Sequence, residues 1–238
     1  NYKQLFADPT FQLVFKNTIE FTLACLVVQF TIGFLFAMFF SKKFTLAGPI
    51  RGLVLVGYMM PMSVTALLGK NLFLLDGGVI NDLLMKVHLI SSPIDWLVNG
   101  GTALGAVIAV NCWVGIPFNM LLLTSGLTGI STDIYESASM DGANAFKRFI
   151  YITLPLMKPA MLSVLMLGFI YTFKAFDLMY IMTAGGPFNS TDVLGTYAYS
   201  KAFTQYEFSQ GSAIAMVLFA CLFLVGIFYL KLLSKEDD

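Results

Sequence analysis

Charge is what this 238-residue sequence has least of: 12% of it is Asp, Glu, Lys or Arg, and 14 basic side chains cancel 14 acidic ones. A soluble domain carries roughly 25%. A chain this poor in charge cannot be wrapped in water around one core, so its solvent is lipid. A net charge of zero also excludes a nucleic-acid partner, which demands a basic face. Histidine is scarcer still: His88 is alone, and a metal site needs several convergent ligands. Cys25, Cys112 and Cys221 are odd in number and scattered through apolar runs, which excludes a disulfide framework. Nor is there a nucleotide loop of the form GxxxxGK(S/T). Gly69-Lys70 is followed by Asn71, and Val64 stands where the first glycine belongs. With no triad, acid–base pair or cofactor glycine motif either, the chain is expected to be no enzyme and to hold no cofactor of its own.

What is abundant is apolar length. Hydrophobic residues make up 58% of the chain and aromatics 15%. A membrane helix needs about 20 mostly apolar residues. Five runs qualify: 21–40, about 52–69, 102–123, 159 to about 182, and 211–230. The expected fold class is therefore an all-α membrane protein, with one domain over 1–238 and neither repeat nor linker. Threading the spans alternately gathers Lys42, Lys43, Arg51, Lys147, Arg148, Lys158, Lys231 and Lys235 on one side. Lys3, Lys16, Lys70, Lys86 and Lys201 fall on the other. Basic residues favour the cytoplasm, so the segment 131–158 and the C-terminus are expected there. The opposite side receives the loops 70–101 and 184–210, the first with a short amphipathic helix in Val79–Ile90. An outward N-terminus leads us to expect a further membrane helix upstream of Asn1.

The segment 131–158 is polar between two apolar spans. Ser131, Thr132 and Asp133 are helix N-cap residues ahead of Ile134–Met140. Asp141-Gly142 supplies a stop tolerant of positive φ. A second helix over 144–153 carries Phe146, Phe149 and Ile150 and is expected to break at Pro155. Two readings fit: an ordinary connector, or a hairpin built for a partner.

The spacing Glu136-Ser137-Ala138, three residues, Gly142, nine residues, Ile152-Thr153-Leu154-Pro155 resembles the EAA motif of binding-protein-dependent ABC importer permeases, with Ser137 in place of the middle alanine. Phe176-Asp177, Tyr180, Thr183, Gly185-Gly186-Pro187, Thr191, Tyr199 and Phe203 are similar to the first of the paired permeases of the maltose and oligosaccharide type. The similarity runs from about Asn1 to the C-terminus. The resemblance implies a type I importer transmembrane domain in the cytoplasmic membrane. It implies that the hairpin is a coupling helix, in which Glu136, Ser137, Ala138, Asp141 and Gly142 meet an ATPase subunit. It further implies a second related permease, two ATPases binding ATP and magnesium, and an extracytoplasmic solute-binding protein.

A solute path needs polar and aromatic groups at mid-depth. Asn111, Gly115 and Phe118, with Val114 beside them, share one helical face. Gly168, Tyr171, Thr172 and Ala175 follow the same i, i+3, i+4, i+7 rule on the fourth span. Both faces align with cavity-lining positions of the resembled family, although Thr172 and Ala175 replace amides. The competing reading is helix–helix packing, in which small and polar residues allow close approach. Lys174 and Asp177, three apart, are expected to snorkel or to pair with each other. The expected function is import of a sugar or oligosaccharide. The alternatives are another solute, such as a glycerol phosphodiester or polyamine, and then a secondary transporter or channel.

Overall fold

The computed structural model describes residues 2–42 and 45–234; Lys43 and Lys235, used above to set orientation, lie outside the described residues. Among the described residues there is helix and turn but no strand. The elements are α1 (Tyr2–Ala7), α2 (Pro9–Phe40), α3 (Ala47–Met59), α4 (Met62–Leu72), α5 (Val79–Lys86) and α6 (Ala103–Thr128). Then come α7 (Thr132–Met140), α8 (Ala145–Arg148), a π-helical turn (Phe149–Thr153), α9 (Leu154–Phe173) and α10 (Asp177–Met182). α11 (Leu194–Tyr199), a second π-helical turn (Ser200–Thr204) and α12 (Phe208–Ser234) complete the chain.

The apolar runs become helices, but three boundaries move for identifiable reasons. The first helix begins at Pro9 rather than Phe21, because Asp8 caps it: Asp8 Oδ1 accepts from Thr10 N at 2.9 Å. The second run is broken at Met60-Pro61, where proline disfavours helix in the residue before it and removes a donor. Among the described residues four helices are long and apolar enough to span a membrane, or five if α3 and α4 count as one broken span. The expected stop at Pro155 does not occur. The π-helical turn widens the winding just before Pro155, and α9 runs on through Pro155 and Pro159 to Phe173. It then ends well short of Met182, with α10 as a separate helix. The surface helix expected over Val79–Ile90 is α5.

The chain forms two compact units. The first comprises Asn1–Cys25, Met60–Trp113 and Ile170–Val225. Within it Phe11, Phe21, Leu178, Met179, Met182 and Leu194 are fully buried. A Cβ on Gly69 would lie 2.6 Å from a Val110 methyl, so α4 sits directly on α6. The second comprises Leu26–Met59, Val114–Phe169 and Gly226–Asp238. Ala37, Leu123, Met157 and Val164 form its core, with Phe30, Phe34 and Ala160 packed around them. A Cβ on Gly126 would be 2.7 Å from that of Ala160, the close approach small residues permit between membrane helices. Large side chains such as Leu53, Phe219, Phe223 and Phe228 stay exposed, as a lipid-facing surface requires.

Candidate functional site

The polar hairpin lies within the second unit and is built from its caps. Ser131 Oγ accepts from Asp133 N at 3.3 Å and starts α7. Gly142, at φ +80°, ends it. Its N–H donates to Ser139 O at 3.1 Å and Ala143 N–H donates to Ala138 O at 2.9 Å. This is the Schellman closure, which needs a left-handed residue after the helix. Asn144 then caps α8, its Oδ1 accepting from Lys147 N at 2.9 Å. Glu136, Ser137, Ala138, Asp141 and Gly142 are thus brought together on α7 and its C-terminal turn. All but the half-buried Ala138 are exposed.

Hydrogen bonds that the sequence did not announce hold the two arms together. Arg148 donates to Ser139 Oγ at 2.6 Å, and Ser139 Oγ donates in turn to Tyr135 O at 2.7 Å. The Tyr135 and Thr153 hydroxyls are 3.0 Å apart. Phe149 roots the π-helical turn, its ring 6.2 Å from that of Phe34. Apolar side chains face away from the hairpin: Met140 is 90% exposed, Tyr151 75% and Phe146 72%. The hairpin thus satisfies its own backbone while presenting acids and apolar tips outward.

The two helix faces divide between exposed and packed residues. In the second unit, Val114, Gly115 and Phe118 follow one another on α6. A Cβ on Gly115 would run into the Gln29 amide, and one on Gly33 would be 2.6 Å from Asn119 Cβ. Gly115 is therefore where α2 and α6 touch. Phe118 is half-buried, its ring 5.5 Å from that of Tyr58, an aromatic partner absent from the sequence reading. A Cβ on Gly168 would be 3.0 Å from a Leu26 methyl. In the first unit, Asn111 and Thr172 are buried, whereas Tyr171 is 57% exposed. Ala175 departs from the expected face: α9 has ended, and Ala175 N donates to Thr172 O at 3.1 Å in the closing turn. Lys174 does not pair with Asp177. Its Nζ lies 5.3 Å from the Tyr171 ring centroid, a cation–π arrangement, while Asp177 sits in the first turn of α10.

The first unit also contains a buried polar lattice. Asn17 Nδ2 donates to Asn189 O at 2.8 Å and to Asp192 O at 3.2 Å, spanning 172 residues of sequence in the first bond. Thr18 Oγ1 accepts from Leu194 N at 2.9 Å. Thr196 donates to Asp192 Oδ1, and Tyr197 donates to Asp8 Oδ2 at 2.8 Å. Burial pushes the Asp192 carboxyl above its ordinary range. A second asparagine, Asn81, donates to Ile94 O at 3.0 Å and accepts from Trp96 Nε1 at 2.8 Å. These asparagines pin loops that remain extended in sequence, which is why no local pattern announced them.

Residues 29–235 match the family described as binding-protein-dependent transport system inner membrane component. The chain is 32% identical to the sulfoquinovosyl glycerol transport system permease protein of Agrobacterium fabrum, covering 100% of this chain and 76% of that protein. It is 30% identical to the trehalose/maltose transport system permease protein of Thermococcus litoralis, over 97% of this chain and 77% of that one. Its fold superimposes with a TM-score of 0.89, at 19% identity, on a bacterial ABC transporter involved in alginate import, covering 100% of this chain and 83% of that one. The hairpin spacing, the apolar spans and the match over most of the length converge: this chain belongs to the inner membrane components of binding-protein-dependent transport systems.

Proposed function

We propose that this chain is a permease subunit that imports a sugar or oligosaccharide through the cytoplasmic membrane. It works with a second related permease, two ATPases and an extracytoplasmic binding protein. The observation that carries the coupling role is the hairpin of Thr132–Thr153, capped at both helices, closed by Gly142 and tied across its arms. A rigid projection transmits displacement; a loose loop would absorb it. The sugar assignment is supported by the two permease relatives named for a glycoside and for disaccharides. Import is then alternating access driven by the ATPases. Glu136, Ser137, Ala138, Asp141 and Gly142 receive the stroke. ATP and magnesium belong to the ATPase partners, and no bond is made or broken on this chain.

Among the mid-depth candidates, Phe118 in the second unit and Tyr171 in the first have ring surface to offer a solute, with the amide of Asn111 and the hydroxyl of Thr172 as polar partners. Gly115 and Gly168 serve the path indirectly, by letting α2 approach α6 and α9, and Val114 and Ala175 complete the candidate set. The test is reconstitution with the cognate ATPase and binding protein, followed by uptake of a glycan panel. Failure of the ATPase to copurify would overturn the coupling role. Uptake of amino acids or polyamines and no glycan would overturn the sugar. Cysteine at Met140 is expected to react only from the cytoplasmic side and at Val98 only from the other; labelling of both from one side would overturn this orientation.

A further inference from the structure

In the first unit, six aromatic rings form one unbroken series. Tyr180 stacks on Phe176 at 5.2 Å, Phe176 meets Tyr199 at 5.2 Å, and Tyr199 meets Phe203 at 5.2 Å. Phe208 continues from Phe203 at 6.3 Å, and Tyr206 from Phe208 at 6.5 Å. Although each ring has an aromatic neighbour, Tyr180, Tyr199, Phe203, Tyr206 and Phe208 remain between 36% and 75% exposed. Several of them border a hollow of about 480 Å³, within the roughly 300–1,000 Å³ typical of small-ligand sites. Its floor is kept low by Gly195, Ala198 and Gly211, and Ser212 brings a hydroxyl to its edge. A Cβ on Gly211 would be 2.7 Å from that of Ala202, so α12 and the second π-helical turn meet there without side chains between them.

Polar groups accompany these rings in sequence. Lys201 Nζ lies 2.9 Å from Gln205 Oε1 and 3.1 Å from Glu207 Oε2, so an ammonium, an amide and a carboxylate flank Phe203 and Phe208 in sequence. The π-helical winding of Ser200–Thr204 is itself a rare irregularity, of a kind frequent at functional sites. An interfacial anchoring belt would distribute single Tyr and Trp residues around the protein. Here the rings touch one another and four of them border one hollow.

We infer that this aromatic series is a saccharide-stacking platform, separate from the mid-depth residues, that takes the C–H face of a pyranose ring. The faces of aromatic rings are electronegative, and the axial C–H bonds of a sugar present the complementary positive surface. The Ser212 hydroxyl in the lining suits the sugar's hydroxyls. The inference rests on the sugar-import reading.

The test uses the complete complex in lipid nanodiscs, with trehalose, maltotriose and sulfoquinovosyl glycerol as probes. Phe203→Trp keeps an aromatic face and adds a reporter indole; the wild-type complex, with Trp96 and Trp113, supplies the baseline. The sugar that the wild-type complex imports is expected to shift the added indole's emission saturably. Tyr199→Leu, introduced beside it, is expected to raise the half-saturation concentration roughly threefold to tenfold, and Tyr199→Phe to restore it. Import without a saturable response, or a response unmoved by Tyr199→Leu while the variant loses only membrane assembly, would overturn the platform. Import of no glycan would overturn the sugar-import reading and the platform with it.

Discussion

The polar hairpin of 131–153 and the loop of 184–193 solve the same backbone problem and use their side chains in opposite ways. Both turn the chain with a left-handed glycine, Gly142 at φ +80° and Gly185 at φ +83°. In the hairpin, the polar groups that are not needed for capping project outward with Met140 and Phe146. In the loop, polar groups turn inward: Thr191 donates to Gly186 O at 2.7 Å, the Thr183 and Thr191 hydroxyls are 2.6 Å apart, and Asn17 holds the far end. Phe188, 96% exposed, stands out from it. The lesson is that polarity in an apolar chain has two uses. Where water or a partner is at hand it makes a surface; where neither is, most of it is bonded inward and becomes cement, Ser190 Oγ being the exception in this loop.

Gly142→Pro should show the largest effect. Proline fixes φ near −65° and removes the N–H that Ser139 O accepts, so the Schellman closure fails. Uptake should fall more than tenfold while membrane insertion is retained; uptake near wild type would remove the hairpin from the mechanism. Asn17→Ala should act the other way round, on stability first. It leaves the carbonyls of Asn189 and Asp192 without this donor, a cost of about 1–3 kcal/mol for buried groups, to be read from a denaturation midpoint of the purified complex. If Asn17→Ala instead lost coupling at full stability, the distinction between surface and cement would fail.

The pH dependence is a smaller and sharper test. Because burial raises the folded-state value of Asp192 above its unfolded value of about 3.9, the folded state favours the neutral acid. That contribution is fully present below the unfolded value and is lost as pH rises through the raised one. Asp192→Asn keeps an oxygen for Thr196 and cannot ionise. The wild type should therefore lose stability relative to the variant as pH rises from about 4, and parallel profiles would refute the buried-carboxylate account. The smallest effect belongs to Arg148→Ala, which removes an exposed tie to Ser139. Stability should change by under about 1 kcal/mol, while uptake drops roughly twofold to threefold because the hairpin is less rigid. A large stability loss would make that bond cement as well.

Much of this was legible in the sequence because its causes are local. Apolar runs of membrane length, Ser131 and Asn144 as caps, and Asp141-Gly142 as a stop act within a few residues. Proline was harder to read. Pro61 broke its run because the chain ahead had to turn, whereas Pro155 did not, because a widened π-helical turn absorbed it. The Lys174–Asp177 pairing failed for a related reason: the helix assumed to join them ends at Phe173, and the cation lies over the Tyr171 ring.

Taken alone, the sequence determined the solvent, the number of apolar runs, the polar hairpin and its caps, since these follow from composition and short-range geometry. Only the tertiary structure decided which polar residues are bonded to what. Asn17 reaches Asn189 and Asp192 across most of the chain, Gly115 makes room for Gln29, and Arg148 closes the hairpin onto Ser139. The physical reason is that a hydrogen bond or a close approach needs two partners at a fixed distance, and the sequence lists both without saying that they meet.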